Sequence, residues 1–316
     1  MDSLISVRPD IADAITAGEP VVALESTVIA HGLPRPYNLD TALRMETAVR
    51  EAGAVPATIA VLNGRLVVGL IEAQIAAIAE TPGVAKASSS DLSAILASGK
   101  PGATTVAATV FIAARAGLDI VATGGIGGAH RGSENTFDIS ADLTELGRTP
   151  VTVVCSGAKV ILDLPRTVEI LETMGVAVVG YSTNEFPAFY SRESNLPLQH
   201  RVDSPDEAAC LIDIHRDLGR LGQGASSGML IANPPPAEKA LQREEVESLI
   251  SDALAAAVAA GIRGKAVTPF LLEQLARNSA GKTLETNIAL LIANAQLAGK
   301  IAIAYSARRN STSRRP

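Results

Sequence analysis

Tryptophan is absent from this chain of 316 residues, and aromatic residues of all kinds amount to only 3%. An interior without large rings must be filled by Ala, Val, Leu and Ile, the mixture that suits close-packed α/β layers. Charge is sparse too. Only 19% of residues are charged and the formal net charge is -6, which excludes the basic footprint of a protein that binds nucleic acid polymers. Any anionic ligand has to be held locally. The two cysteines, Cys155 and Cys210, form neither a disulfide framework nor a metal-ligand spacing, so they are expected as buried thiols in a reducing compartment. No stretch offers the roughly 20 uninterrupted apolar residues of a membrane span. The opening MDSLISVRPDIADAITAGEP mixes charge with apolar residues and lacks the basic start and apolar core of a signal peptide. A soluble, cytoplasmic protein with no membrane partner is the expectation.

What is present is an alternation of short β-rich runs and helical stretches. Val21 to Leu24 reads as a strand ending at Glu25, and the Gly and Pro residues of His31–Pro36 make a loop after it. A helix is expected from about Asn38 to Ala52, with Asn38 or Asp40 as its cap. "TIAVLNGRLVVGL" reads as two strands around Asn63-Gly64, the dipeptide suited to a two-residue hairpin turn, so the sheet is not purely parallel. Further along come a helix from Thr104 to Ala116, a strand from Asp119 to Thr123, a strand from Val151 to Cys155, a helix from Leu162 to Met174 and a strand from Val176 to Tyr181. This is the spacing of βαβ units. Helices are also expected at Pro205 to Leu218, Arg243 to Ala260 and Leu284 to Ala298. No internal repeat or long linker divides the chain. One domain over 1–306 is expected, with the basic 307–316 as a disordered tail.

Ligands of α/β sheets gather at the carboxyl ends of strands, and three polar features sit there. Glu25 follows the first strong strand, "TGGIGGAHRG" follows the strand ending at Thr123, and Lys159 stands in "VTVVCSGAKVILDLP", four residues past a strand with only Ser, Gly and Ala between. Each feature has two readings. A carboxylate at a strand end could hold a proton near neutral pH if desolvated, or it could cap. The glycine-rich segment lacks the third glycine of a dinucleotide fingerprint, because His130 stands there, and no P-loop occurs anywhere. It is either an anion site helped by His130 and Arg131, or a tight turn. In "TFDISADLTEL", Asp138 and Asp142 flank Ser140, which suits either a hard cation or a capped helix start. Lys86 in "VAKASSSDL" is either a ligand or a solvated lysine.

Taken together, "VALESTVIAHGLP", "VAKASSSDL", "GATTVAAT", "ATGGIGGAHRG", "DISADLTEL", "VVCSGAKVILDLPRTVEILETMGVAVVGY", "FPAFYSRES" and "KTLETNIALLIANAQLA" resemble the pseudouridine-5'-phosphate glycosidases, also called the indigoidine synthase A-like family. The resemblance runs from about residue 5 to residue 305. It implies a three-layer α/β/α fold with a mixed, mostly parallel sheet, a homotrimer, and a divalent metal, usually Mn2+. It implies reversible cleavage of the C–C glycosidic bond of pseudouridine 5'-phosphate to uracil and ribose 5-phosphate. Motif by motif, Glu25 matches the proton donor, Lys159 the nucleophile and Asp138 the metal ligand. Lys86, the Val106 amide, Ser140, Ala141 and Asp142 match substrate contacts, and Thr123, His130 and Asn287 fall in matching motifs around phosphate and ribose.

A carbon leaving group is poor, so simple acid–base hydrolysis is an unpromising route to this cleavage. A neutral lysine amine attacking C1′ would open the ribose ring and provide an iminium as electron sink. That chemistry gives Lys159 a reason to stand at a strand end. Two other readings share these features: a Schiff-base aldolase or lyase acting on another phosphosugar, and a nucleotide-sensing module without chemistry.

Overall fold

The computed structural model describes residues 4–221, 227–262 and 267–312. Its strands, in chain order, are β1 (Ile5–Val7), β2 (Val21–Leu24), β3 (Val55–Leu62), β4 (Arg65–Val68), β5 (Ala85–Ala87), β6 (Gly102–Thr104), β7 (Ile120–Ala122), β8 (Thr152–Cys155), β9 (Ala177–Tyr181), β10 (His200–Val202) and β11 (Met229–Ala232). The α-helices are α1 (Pro9–Ala17), α2 (Tyr37–Glu51), α3 (Glu72–Glu80), α4 (Leu92–Ser98), α5 (Val106–Ala116), α6 (Ser133–Thr136), α7 (Ala141–Leu146), α8 (Leu164–Thr173), α9 (Pro205–Leu221), α10 (Arg243–Ala259), α11 (Val267–Asn278) and α12 (Lys282–Thr312).

The strands form one 11-stranded sheet ordered β1-β4-β3-β2-β7-β8-β11-β9-β10, with β6 on β3 and β5 on β6. From β3 to β10 along this order every neighbour is parallel. The antiparallel pairs are β3 with β4 and β3 with β6. The expected hairpin is the first of these, and Asn63 and Gly64 both take the left-handed conformation, with φ of 51° and 71°. The central strands β2, β7, β8 and β11 are buried at every residue. Covered on both faces, they read as continuous apolar runs.

Right-handed crossovers decide where the helices lie. The chain steps one way along the sheet from β2 through α2 to β3, and the opposite way from β7 through α7 to β8, so these two helices fall on opposite faces. On one side α12 packs against α2, α9 and strands β2, β7 and β8, and α5 packs with α7 on the other. This is the expected three-layer α/β/α arrangement. The reversal of direction falls between β2 and β7. In an open α/β sheet that point opens a crevice at the carboxyl ends of the strands.

Helix α12 is much longer than the Leu284–Ala298 stretch expected. It continues through Thr312, into residues expected as a disordered tail, and Arg309 on it reaches Asp119 with Nη1 at 3.0 Å. Residues 313–316 lie outside the described part. By length and composition this helix could cross a membrane, but 56% of its most apolar window is buried in the protein. It serves as a core helix. Cys155 is buried as expected and its thiol is pushed up to about 12 by desolvation, whereas Cys210 is only half-buried.

Candidate active site

At the β2/β7 crevice lies a cavity of about 330 Å³, within the range of small-ligand sites. Glu25 enters it from the end of β2, 6% exposed, and the hydroxyl of the fully buried Thr123 donates to its Oε1. Burial pushes the Glu25 carboxyl above the usual carboxylate range. The charges of Lys159 and Lys86 and the Thr123 bond oppose this, and Asp142 adds to it. The group is therefore inclined to carry a proton. Thr123 was expected around phosphate or ribose. It does not line the cavity, and it holds Glu25 instead.

Lys159 enters from beyond β8. Gly157 takes φ +77°, turning the chain, and the Lys159 backbone N–H donates to Ile126 O at 3.0 Å. Its Nζ donates to Gly125 O at 2.7 Å. The glycine segment is therefore a packing device. A Cβ on Gly125 would lie 2.7 Å from the Phe189 ring, and one on Gly127 would lie 2.8 Å from Asp142 Oδ2. Four of its amides are committed inward: Ile126 to Gly157 O, Gly127 to Asp142, Ala129 to the Thr167 hydroxyl and His130 to Asp138 O. Arg131 forms a two-pronged ion pair with Glu247 of α10 and does not line the cavity. Gly124, Gly125 and Gly127 line the cavity, so the segment is tightly packed without being closed to an anion.

The aspartates separate by environment. Asp142 is buried and both its oxygens are occupied, Oδ1 by the Ala107 amide at 2.8 Å and Oδ2 by the Gly127 amide at 2.7 Å. Its carboxylate ties the start of α5 to the glycine segment, so although it lines the cavity its oxygens are already committed. Ser140 caps α7, accepting from the Asp142 N–H, and Ala141 begins that helix; both line the cavity. Asp138 is exposed and stands in the wall beside His130. His130 is held below its ordinary value by burial, against the pull of Asp138 and with the help of Lys86 and Lys159. No group of three or more His, Cys, Asp or Glu that could hold a metal occurs among the described residues. One free carboxylate suits a hard cation that keeps most of its waters, as Mg2+ and its relatives do, and does not suit a dedicated protein cage. To that extent Asp138 fits the expected metal.

Lys86 of β5, Val106 and Asn287 also line the cavity. Val106 is the first residue of α5, where helix geometry leaves amides without intrahelical partners. Thus every expected site residue except Thr123 meets at one cavity. Thr27, His31, Ser88, Ser90 and Phe189 line it as well and were not singled out, although each stands within the quoted motifs. His31 sits in a π-helical turn over Val28–Gly32, and its Nε2 has no hydrogen-bond partner. Thr268, Pro269 and Leu272 of α11 had no signal in the sequence.

Similar proteins match nearly the whole length of the chain. A protein named pseudouridine-5'-phosphate glycosidase from Herpetosiphon aurantiacus is 55% identical over 298 residues, 94% of this chain and 97% of that one. Another of that name from Paracoccus denitrificans is 51% identical, covering 97% and 100%. The crystal structure of the prealnumycin C-glycosynthase AlnA in complex with ribulose 5-phosphate superposes with a TM-score of 0.89 at 42% identity, covering 98% of this chain and all of that one. The family model "Indigoidine synthase A like protein" matches residues 10–304. With the motifs, the fold and these relatives in agreement, the chain belongs to the indigoidine synthase A-like family, that of the pseudouridine-5'-phosphate glycosidases.

Proposed function

We propose that this chain reversibly cleaves the C–C glycosidic bond of pseudouridine 5'-phosphate, giving uracil and ribose 5-phosphate. The observation that carries this reading is the meeting of Glu25, buried and inclined to hold a proton, with Lys159 at the two ends of one short segment, Thr123 to Gly125. Nζ of the neutral amine bonds to C1′ while the C1′–O4′ bond breaks and Glu25 delivers a proton to the ring oxygen. The ammonium so formed returns a proton to the Glu25 carboxylate, and the nitrogen lone pair this frees then expels the base. Electrons of the C1′–C5 bond pass to C5, which takes a proton, and the lysine is left as an iminium on the open ribose. Water adds to C1′ and returns ribose 5-phosphate and the free amine. Ultraviolet detection of free uracil from pseudouridine 5'-phosphate with Mn2+ tests the reading directly. Release of a small carbonyl compound without uracil would favour an aldolase, and binding without turnover would favour a sensor.

The metal is part of the same proposal. Asp138 would hold a divalent cation, Mn2+, largely through water, and the ion would supply positive charge next to an anionic substrate. EDTA should abolish activity, and Mn2+ should restore it better than Ca2+, whose larger and looser shell orders a pocket less firmly. Asp138→Asn should raise the Mn2+ concentration needed for half activity. Full turnover in metal-stripped protein would remove Asp138 from that role.

Phosphate recognition rests chiefly on side chains, because four of the glycine segment's amides are committed elsewhere. Lys86, with Ser88 and Ser90 beside it and the open end of α5 at Val106, is the cationic part of the cavity suited to a 5'-phosphate. Asn287, buried on α12, would reach the same substrate from the opposite layer. Contacts remote from the reacting carbon help to place C1′ against Lys159. Unphosphorylated pseudouridine should lose at least ~100-fold in kcat/KM, about 2.7 kcal/mol. Uridine 5'-monophosphate should bind but turn over slowly, since its base is joined through nitrogen and sits differently over Glu25. Equal kcat/KM with and without the phosphate would refute the anion site, and faster cleavage of uridine 5'-monophosphate would overturn the C-glycosidase reading.

A further inference from the structure

One polar side chain behind the cavity wall bonds to the segment that carries both reacting groups. Asn294 of α12 is fully buried and does not line the cavity. Its Nδ2 donates to Thr123 O at 2.8 Å and to the Ser156 hydroxyl at 3.1 Å, and lies 3.4 Å from Gly124 O. Its Oδ1 accepts from Nδ2 of Asn233, at the end of β11, at 2.9 Å. The backbone carbonyls of Thr123 and Gly124 can only accept, and they fix which way the amide faces. On the segment it grips, the Thr123 hydroxyl holds Glu25, and two residues on, Gly125 O holds Lys159 Nζ. Asn287, Leu291 and Asn294 follow one another at i, i+4 and i+7, so one stripe of α12 supplies a cavity residue, a wall residue and this foundation. The fit leaves little slack. A Cβ on Gly124 would lie 3.1 Å from Leu291, and one on Gly125 would meet Phe189.

We propose that Asn294 is a positioning residue that sets the separation of Glu25 and Lys159 by clamping the Thr123–Gly125 segment to α12. The inference rests on the reading of Glu25 as acid and Lys159 as nucleophile. It differs from a merely structural role for a buried amide, because its consequence is geometric. A backbone shift of about 1 Å at this segment would displace the two anchors, the Thr123 hydroxyl and Gly125 O, relative to one another and to the substrate, and misplacement of that size costs up to ~100-fold in rate.

The proposal is tested with Asn294→Ala and Asn233→Ala in the full chain. Asn233 is half-buried and outside the cavity lining, and its removal frees the Asn294 amide without deleting it. Asn294→Ala should lower kcat by ~10- to ~100-fold with KM changed less than about threefold, and Asn233→Ala should act in the same direction but less. The alkaline limb of the kcat profile should also move. Glu25 is faced by Lys159, Lys86 and Asp142 and bonded by Thr123, and the Thr123 bond is among the influences holding its carboxyl down. Loosening that bond lets the carboxyl rise, so the limb shifts to higher pH in Asn294→Ala and Thr123→Val, with no further shift in the double variant. Borohydride trapping of the lysine with ribose 5-phosphate, followed by intact mass, reads the Lys159 arm without any uracil chemistry and should be slower in Asn294→Ala. If wild type releases no uracil, the proposed reaction fails while this trapping still judges the clamp. Unchanged kcat and trapping in both variants would overturn the clamp. So would a loss of kcat that follows only a fall in folded fraction, with the alkaline limb unmoved. Should Asn294→Ala not fold, the same readings on Asn233→Ala decide.

Discussion

Lys159→Ala is expected to fold, to bind substrate and to lose turnover by at least ~10⁴-fold, a loss of the order seen when a covalent nucleophile is removed. The fold should survive because the local backbone is held without the side chain: Lys159 N–H donates to Ile126 O, Ser156 N–H to Gly124 O, and Ala158 bridges Ile126. What disappears is Nζ and its bond to Gly125 O, a carbonyl at the cavity wall that water can reach. That bond uses one N–H of the amine and leaves a neutral nitrogen its lone pair for C1′. Lys159→Arg should fare no better, since guanidinium stays protonated and forms no imine. Rates of uracil release and intact mass after borohydride reduction check both points. More than about a tenth of wild-type turnover in a folded Lys159→Ala protein would eliminate the nucleophile assignment.

The strands and helices that place these groups were legible because each carries a local signature. The run Val21–Leu24 is β2 residue for residue, Gly117 ends α5 in a left-handed conformation, and Asn63-Gly64 makes the hairpin. Some of the shortest elements were not legible. Strands such as β5 and β6, three residues each, exist only because β3 offers them an edge, and no run of three residues announces that. Caps misled in one place. Asn38 was a candidate cap for α2, yet its amide donates to Ile29 O and Ala79 O, so it ties a π-helical turn to α3. The membership of the site was legible from motifs, while the division of labour within it was not. Asp138 and Asp142 stand four apart with similar sequence credentials, and only the third dimension shows that Ala107 and Gly127 occupy both oxygens of one and leave the other exposed. Thr123 was misplaced for the same reason. Its side chain points back from a strand end to Glu25, a partner 98 positions away.

Glu25→Gln is expected to lower the rate by roughly two to four orders of magnitude with little change in binding, the range found when a positioned acid loses its proton. The substitution keeps the shape and an oxygen to accept from the Thr123 hydroxyl, so the buried pair is not left broken. It removes only the proton that ring opening and departure of the base require. The pH profile carries an independent sign. Burial raises the Glu25 carboxyl, outweighing the nearby lysines, so the protonated form persists further toward neutral pH than in an ordinary carboxylate. Activity that depends on this proton should be present below that raised value and fall as pH climbs through it. The residual activity of Glu25→Gln should lack that alkaline limb. If C–C cleavage is slowed more than attack by Lys159, a covalent sugar–nucleotide adduct should accumulate and be visible by intact mass. Normal turnover in steady state, or an alkaline limb that survives unchanged in Glu25→Gln, would show that the acid is another group.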